Sequence, residues 1–137
     1  MTRCSDLNCS LCCHEREVIL THEDVDKLLT MGHYEQTFAR KSRHGHNLKE
    51  LIFIGGDCIF LKNGTCSVYN NRPTACRIFP YSMEEGRECF DEGCPHRSEF
   101  RGDPVFLEDA RSGFNRIIED VLTTMSRYEE RKRQEAI

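Results

Sequence analysis

The sequence predicts an α+β fold, a small domain of irregular loops around a β-hairpin, closed by a long C-terminal amphipathic helix. Three observations predict it. Asn63-Gly64 stands between two short β-prone runs, and this pair favours a two-residue turn because both of its positions need positive φ. Apolar residues recur at helical spacing over residues 104–128. Nine cysteines occur in a 137-residue chain that is 31% charged. A single domain over residues 1–137 is expected at this length. So charged a chain has a thin supply of ordinary apolar side chains, and something besides apolar burial is expected to contribute to its stability.

Residues 1–17 hold Cys4, Cys9, Cys12 and Cys13 with few apolar neighbours, and read as irregular backbone. A helix starts at Thr21, the N-cap, with Asp24 three residues on completing a capping box that satisfies orphan N–H groups. Val25, Leu28 and Leu29 form its apolar face and Gly32 its stop. Residues 34–39 read as a second short helix or turn, residues 40–47 as a polar loop, and residues 48–54 as a buried strand ending at the turn Gly55-Gly56.

The hairpin follows. With Asn63-Gly64 as its loop, Lys62 pairs with Thr65, Leu61 with Cys66, and Cys58 with Tyr69. Side chains alternate with period two, so this register puts Cys58 and Cys66 on opposite faces. Arg72-Pro73 opens a turn before Cys76, residues 78–81 form an apolar extended piece, and residues 84–92 a polar, acidic loop. Asp103 caps the final helix, Pro104 suits its first turn, and the helix is placed at residues 103–134. Its apolar stripe is Phe106, Leu107, Ala110, Phe114, Ile117, Ile118, Val121, Leu122, Met125 and Tyr128, with a mixed-charge end that projects or frays.

Composition excludes several function classes. A net charge of −4 opposes a nucleic-acid partner, whose phosphates call for a basic surface. No segment reaches the ~18 consecutive apolar residues of a membrane span, and the start carries no secretory pattern, so a cytoplasmic protein without a transmembrane segment of its own is expected. Thiols stay reduced there, so dense cysteines point to metal or redox chemistry and not to a disulfide framework. No Gly-rich nucleotide loop, H-E-x-x-H or Ser/His/Asp arrangement is present, which favours a non-enzymatic role.

A thiolate is a soft ligand suited to zinc or iron–sulfur clusters, and four of them close a tetrahedral site or hold one [4Fe–4S] cluster. Nine allow two centres and a spare. Only Cys9 and Cys12 show C-x-x-C spacing, so the site is assembled by the fold and not by paired knuckles. The adjacent Cys12 and Cys13 point apart in extended backbone, which fits a multinuclear centre or two centres better than one mononuclear ion. His14 and His96 neighbour cysteines and read as surface histidines, with ligand or supporting-donor roles as the alternative.

Together, Cys9-x-x-Cys12-Cys13, Cys58-x-Phe60-Leu61, Gly64-x-Cys66-Ser67-x-Tyr69, Arg72-Pro73-x-x-Cys76-Arg77-x-Phe79-Pro80 and Cys94-Pro95 resemble the family of small cysteine-cluster proteins described as zinc- or iron-chelating domains. The resemblance covers residues 4–96 and implies metal binding by Cys9, Cys12, Cys13, Cys58, Cys66, Cys76 and Cys94. The family signature C-x-x-C-x-x-C-C departs at its first position, where Asp6 stands and Cys4 lies two residues earlier; Cys4 is taken as the ligand because a thiolate suits the centre better than an oxygen. Cys89 is extra. The irregular spacings and the closing Cys94-Pro95 favour one or two [4Fe–4S] clusters, with zinc as the alternative. The expected role is a redox- or oxygen-responsive accessory or regulatory partner of a larger enzyme or complex. The alternatives are a structural zinc module, or an accessory component of a protein methylase-type enzyme, since flagellin lysine methylases carry a similar cysteine cluster.

Overall fold

The computed structural model describes Cys13 and residues 16–136, and the fold is α+β. Short sheets carry Cys58, Cys66 and Cys89, and a helix carries Cys76. The first sheet is three-stranded and antiparallel in the order β1 (Ile19–Leu20), β3 (Lys49–Leu51), β2 (Ala39–Lys41), with Ile19 opposite Glu50 and Arg40 opposite the same Glu50. Between β1 and β2 run α1 (His22–Thr30) and α2 (Glu35–Phe38). The start of α1 is as the sequence predicts: the Thr21 hydroxyl accepts the Asp24 N–H, and Asp24 Oδ2 accepts the Thr21 N–H, each at 3.0 Å. Val18, Leu28, Phe38 and Leu51 are almost wholly buried here.

Three hairpins follow, each closed by two residues at positive φ. Gly55-Gly56 joins β4 (Phe53–Ile54) to β5 (Asp57–Cys58), Asn63-Gly64 joins β6 (Leu61–Lys62) to β7 (Thr65–Cys66), and Glu85-Gly86 joins β8 (Tyr81–Glu84) to β9 (Arg87–Phe90). Mirror-image turns match the right-handed twist of the strands they join. The predicted strand over residues 48–54 is thus two strands, because beyond Ile52 the chain leaves the first sheet and turns back through the glycines. The predicted acidic loop over residues 84–92 is mostly hairpin, with Glu85 at φ 51 in a position where the sequence carries no familiar turn signature.

The Asn63-Gly64 hairpin keeps the expected register at Leu61–Cys66 and Lys62–Thr65. It extends one bond further, from Ser67 N to Phe60 O at 2.8 Å, and stops. Cys58 pairs with Phe53 in the preceding hairpin and not with Tyr69, which begins a 3-10 turn over Tyr69–Asn71. The two cysteines lie on separate hairpins, so the alternation argument that set them on opposite faces does not apply.

After α3 (Thr74–Arg77) and the short α4 (Arg97–Arg101), α5 runs from Pro104 to Glu135. At 1.5 Å per residue its 32 residues span about 48 Å. Asp103 caps it, its Oδ1 accepting the N–H groups of Val105 and Phe106 at 3.1 Å. Phe106, Ala110, Gly113 and Thr124 are buried along it, with Leu107, Phe114 and Ile117 half-buried. Ile118 and Leu122 are 41% and 60% exposed, so they leave the predicted stripe: each sits one residue, about 100° of rotation, from a core-facing position. The helix stays regular through its mixed-charge end.

Candidate metal centre

The described cysteines reach the core from separate elements. Cys58 ends β5, Cys66 ends β7, Cys76 lies in α3, Cys94 follows β9, and Cys13 precedes β1. Cys13, Cys58, Cys76 and Cys94 are buried in the hydrophobic core, each between 2% and 6% exposed, and the half-buried Cys66 packs against that core. The Phe60 N–H donates to Cys58 Sγ at 3.4 Å, a contact that favours a sulfur carrying negative charge. Cys4, Cys9, Cys12, Asp6 and His14 lie outside the described residues. Buried thiols, one of them facing a backbone donor, are of the ligand type that zinc and iron–sulfur centres take.

Four residues, Asp24, Arg16, Asp109 and Gly113, set the Cys76 helix in place. Asp24 Oδ1 accepts the Thr74 N–H at 2.9 Å and the Thr74 hydroxyl at 2.8 Å, so the carboxylate that completes the α1 capping box also satisfies the start of α3. Asp24 is 1% exposed, and an uncompensated carboxylate there would be costly. Arg16 donates to Ala75 O at 3.3 Å and lies 4.4 Å above the Phe79 ring, fastening the chain just after Cys13 onto α3. Arg77 pairs with Asp109 of α5 at 3.4 Å. Gly113 lets α5 approach closely: a Cβ there would sit 2.6 Å from Ile78 Cγ2 and 3.2 Å from Thr74 Cγ2. Asp24 was legible in the sequence as a cap, but not in its second role, and Arg16 and Gly113 carried no sequence signal.

Cys94 is held by its own N–H, which donates to Asp91 O at 3.1 Å, while Asp91 N donates to Pro80 O at 2.8 Å. Arg72, in the Arg-Pro motif, stacks 3.9 Å over the Tyr69 ring and donates to Tyr69 O at 2.9 Å, bracing the chain between Cys66 and Cys76. His96 is partly exposed and lies 3.6 Å from Glu99.

Cys89 stands apart from the buried core. It lies on β9 opposite Ser82 and is half-buried. Burial first, and then the nearby carboxylates of Glu84 and Asp91, push its thiol up from the ordinary value.

Among the described residues, the three potential ligand atoms that lie within 4.8 Å of one another belong to Glu17, His44 and Glu50. Their charge is already matched. Glu50 accepts from Ser42 Oγ at 2.9 Å and Arg43 N at 3.1 Å, and lies 3.4 Å from both the Arg40 and Arg43 guanidinium groups. Burial alone would raise the Glu50 carboxyl, but the bonds from Ser42 and Arg43 outweigh it and hold the group below its ordinary value. This is an ion-pair network that ties β3 to the loop joining it to β2.

The family described as "putative zinc- or iron-chelating domain" matches residues 3–95. An uncharacterized protein of Methanocaldococcus jannaschii, MJ0661, is 33% identical over 85 residues, which is 57% of this chain and 44% of that protein. The chain therefore spans less than half the length of this relative. No solved structure matches it significantly.

Proposed function

Because the chain belongs to the CxxCxxCC family of zinc- or iron-chelating domains, we propose that its metal is an iron–sulfur cluster and that it serves as a redox- or oxygen-responsive accessory partner of a larger enzyme or complex. The observation that carries this reading is that Cys13, Cys58, Cys76 and Cys94 are buried in the core and Cys66 packs against it, all five coming from separate stretches of the chain. Dispersed thiols suit a cluster held by the whole fold. These five, with Cys4, Cys9 and Cys12, are the proposed ligands. When bound, such a centre would supply one-electron redox chemistry.

The protein's own part is to bury and orient the thiols. Asp24, Arg16 and Gly113 position the Cys76 helix, and Phe60 N–H supports charge on Cys58. A change at the centre would alter the surface these elements present, which is how a buried centre can report to a partner. The adjacent Cys12 and Cys13 favour iron–sulfur over a single zinc ion.

The test is iron, zinc and acid-labile sulfide analysis of protein purified without air, with a visible spectrum and a search for co-purifying partners before and after exposure to air. Iron with equimolar sulfide and a partner lost on oxidation are expected. Zinc without sulfide would reject the cluster in favour of a structural zinc module.

A further inference from the structure

We propose that the groove between the β8–β9 hairpin, α3 and α5 is a docking site for a basic peptide segment of a partner protein, one that presents apolar side chains between lysines or arginines. This names the partner chemistry of the accessory role proposed above and rests on it. The groove encloses about 730 Å³, within the range of about 300–1,000 Å³ typical of binding clefts. Its floor is apolar and incompletely covered: Ile19, Ala75, Phe90, Phe114 and Ile117 line it and are all half-buried.

Acidic groups outnumber basic ones along its lining, although the Arg101 guanidinium also lies 5.0 Å over the ring of Phe90. Glu17, Glu84, Asp91 and Glu92 line the groove, against Arg16, the one cation lining it among the described residues. Arg16 is already committed to the Ala75 carbonyl and the Phe79 ring, and Glu17 to His44 and Arg43. No ion pair among the described residues engages Glu84, Asp91 or Glu92. A second hollow lined by Glu84, Glu85, Arg87, Glu88 and Cys89 adjoins it, with Glu88 there already paired to Arg111. Opposite charge around an apolar floor attracts a cationic segment and rejects an anionic one. The position is apt for an accessory protein, because Ala75 and Arg16 also border the elements carrying Cys76 and Cys13.

The experiment measures fluorescence anisotropy of a labelled peptide, a phenylalanine–leucine pair flanked on both sides by lysines, against the full chain purified without air. The basic peptide is expected to bind; analogues with glutamate flanks or with serine for both apolar residues are not. The triple variant Glu84→Gln, Asp91→Asn, Glu92→Gln is expected to weaken binding roughly ten-fold, and to reduce its salt dependence. A control triple with the same charge change on the distal helix, Glu129→Gln, Glu130→Gln, Glu135→Gln, is expected to bind as the parent does. Failure of the basic peptide to bind, equal affinity of the groove triple, or equal loss in the control triple would overturn the proposal. Iron and sulfide are assayed on the same protein: a normal cluster with no peptide binding sinks the groove alone, and zinc with peptide binding sinks the cluster alone.

Discussion

The carboxylate of Asp24 joins the start of its own helix to Thr74, 50 residues on, taking the Thr21 N–H on one oxygen and both the N–H and the hydroxyl of Thr74 on the other. It makes the position of Cys76 depend on the fold of residues 21–30. Removing the acceptor leaves three buried donors unsatisfied. Asp24→Ala is therefore expected to cost about 3 kcal/mol of stability in urea unfolding and to lower the bound metal, with Asp24→Asn in between because it keeps one accepting oxygen. An unchanged unfolding midpoint for Asp24→Ala would refute this role.

Gly113→Ala tests the close approach of α5 to α3. Alanine favours a helix over glycine by about 1 kcal/mol, but its methyl group would press on Ile78 Cγ2 from 2.6 Å. Overpacking of this kind typically costs about 1–3 kcal/mol, so net destabilisation of about 1 kcal/mol is expected. In an Ile78→Ala background the same change should become neutral or stabilising, which a double-mutant cycle reads directly.

Glu88 sits at the centre of a pH-dependent clamp between the last hairpin and α5. Arg111 donates to its two oxygens at 2.6 and 2.8 Å, and the Tyr81 hydroxyl donates at 2.6 Å. Arg111 first and Tyr81 second pull the Glu88 carboxyl from 4.5 to about 2, while burial and the Glu88 bond push Tyr81 from 10.0 up to about 12. A lowered carboxyl contributes stability above its unfolded value and loses it as pH falls; a raised phenol contributes below its unfolded value and loses it as pH rises. Wild-type urea midpoints should fall between pH 4.5 and about 2, and again between 10 and about 12. The acid fall should flatten in Glu88→Gln.

Serine substitutions separate ligands from bystanders. Cys13→Ser, Cys58→Ser, Cys66→Ser, Cys76→Ser and Cys94→Ser should each reduce the bound metal sharply and lower thermal stability, since metal binding energy is folding energy. Cys89→Ser should leave metal content and spectrum unchanged, in keeping with its place outside the buried core. A metal loss in Cys89→Ser equal to that in Cys76→Ser would show that the groove cysteine is a ligand.

Local chemistry makes several elements legible in the sequence: Asn63-Gly64 at positive φ, the Thr21–Asp24 box, and Asp103-Pro104 at the head of α5 all depend on neighbours within a few residues. What is not legible depends on distant partners. The Glu85-Gly86 turn needs a glutamate at positive φ, which no composition rule flags. Cys58 pairs backward with Phe53 because the chain bends at Ile59 and Phe60, and nothing in the strand pattern marks that bend. Ile118 and Leu122 fall at helical spacing yet stay exposed, because periodicity gives the width of a stripe only approximately. The cysteine ligand list came from motif order, whereas the helper residues Asp24, Arg16 and Gly113 act through contacts that only the folded chain makes.

The notch at Gly113 has a mechanical consequence. Turning α5 by one residue in either direction would swing the side chain of Ser112 or Phe114 into a gap that has no room even for a methyl group. The long helix is thereby keyed against α3 like a shaft in a slot, and cannot roll independently of it. Phe114 and Ile117 of the same helix line the acidic groove, so the contact that keys α5 to the Cys76 helix lies on the helix that floors it.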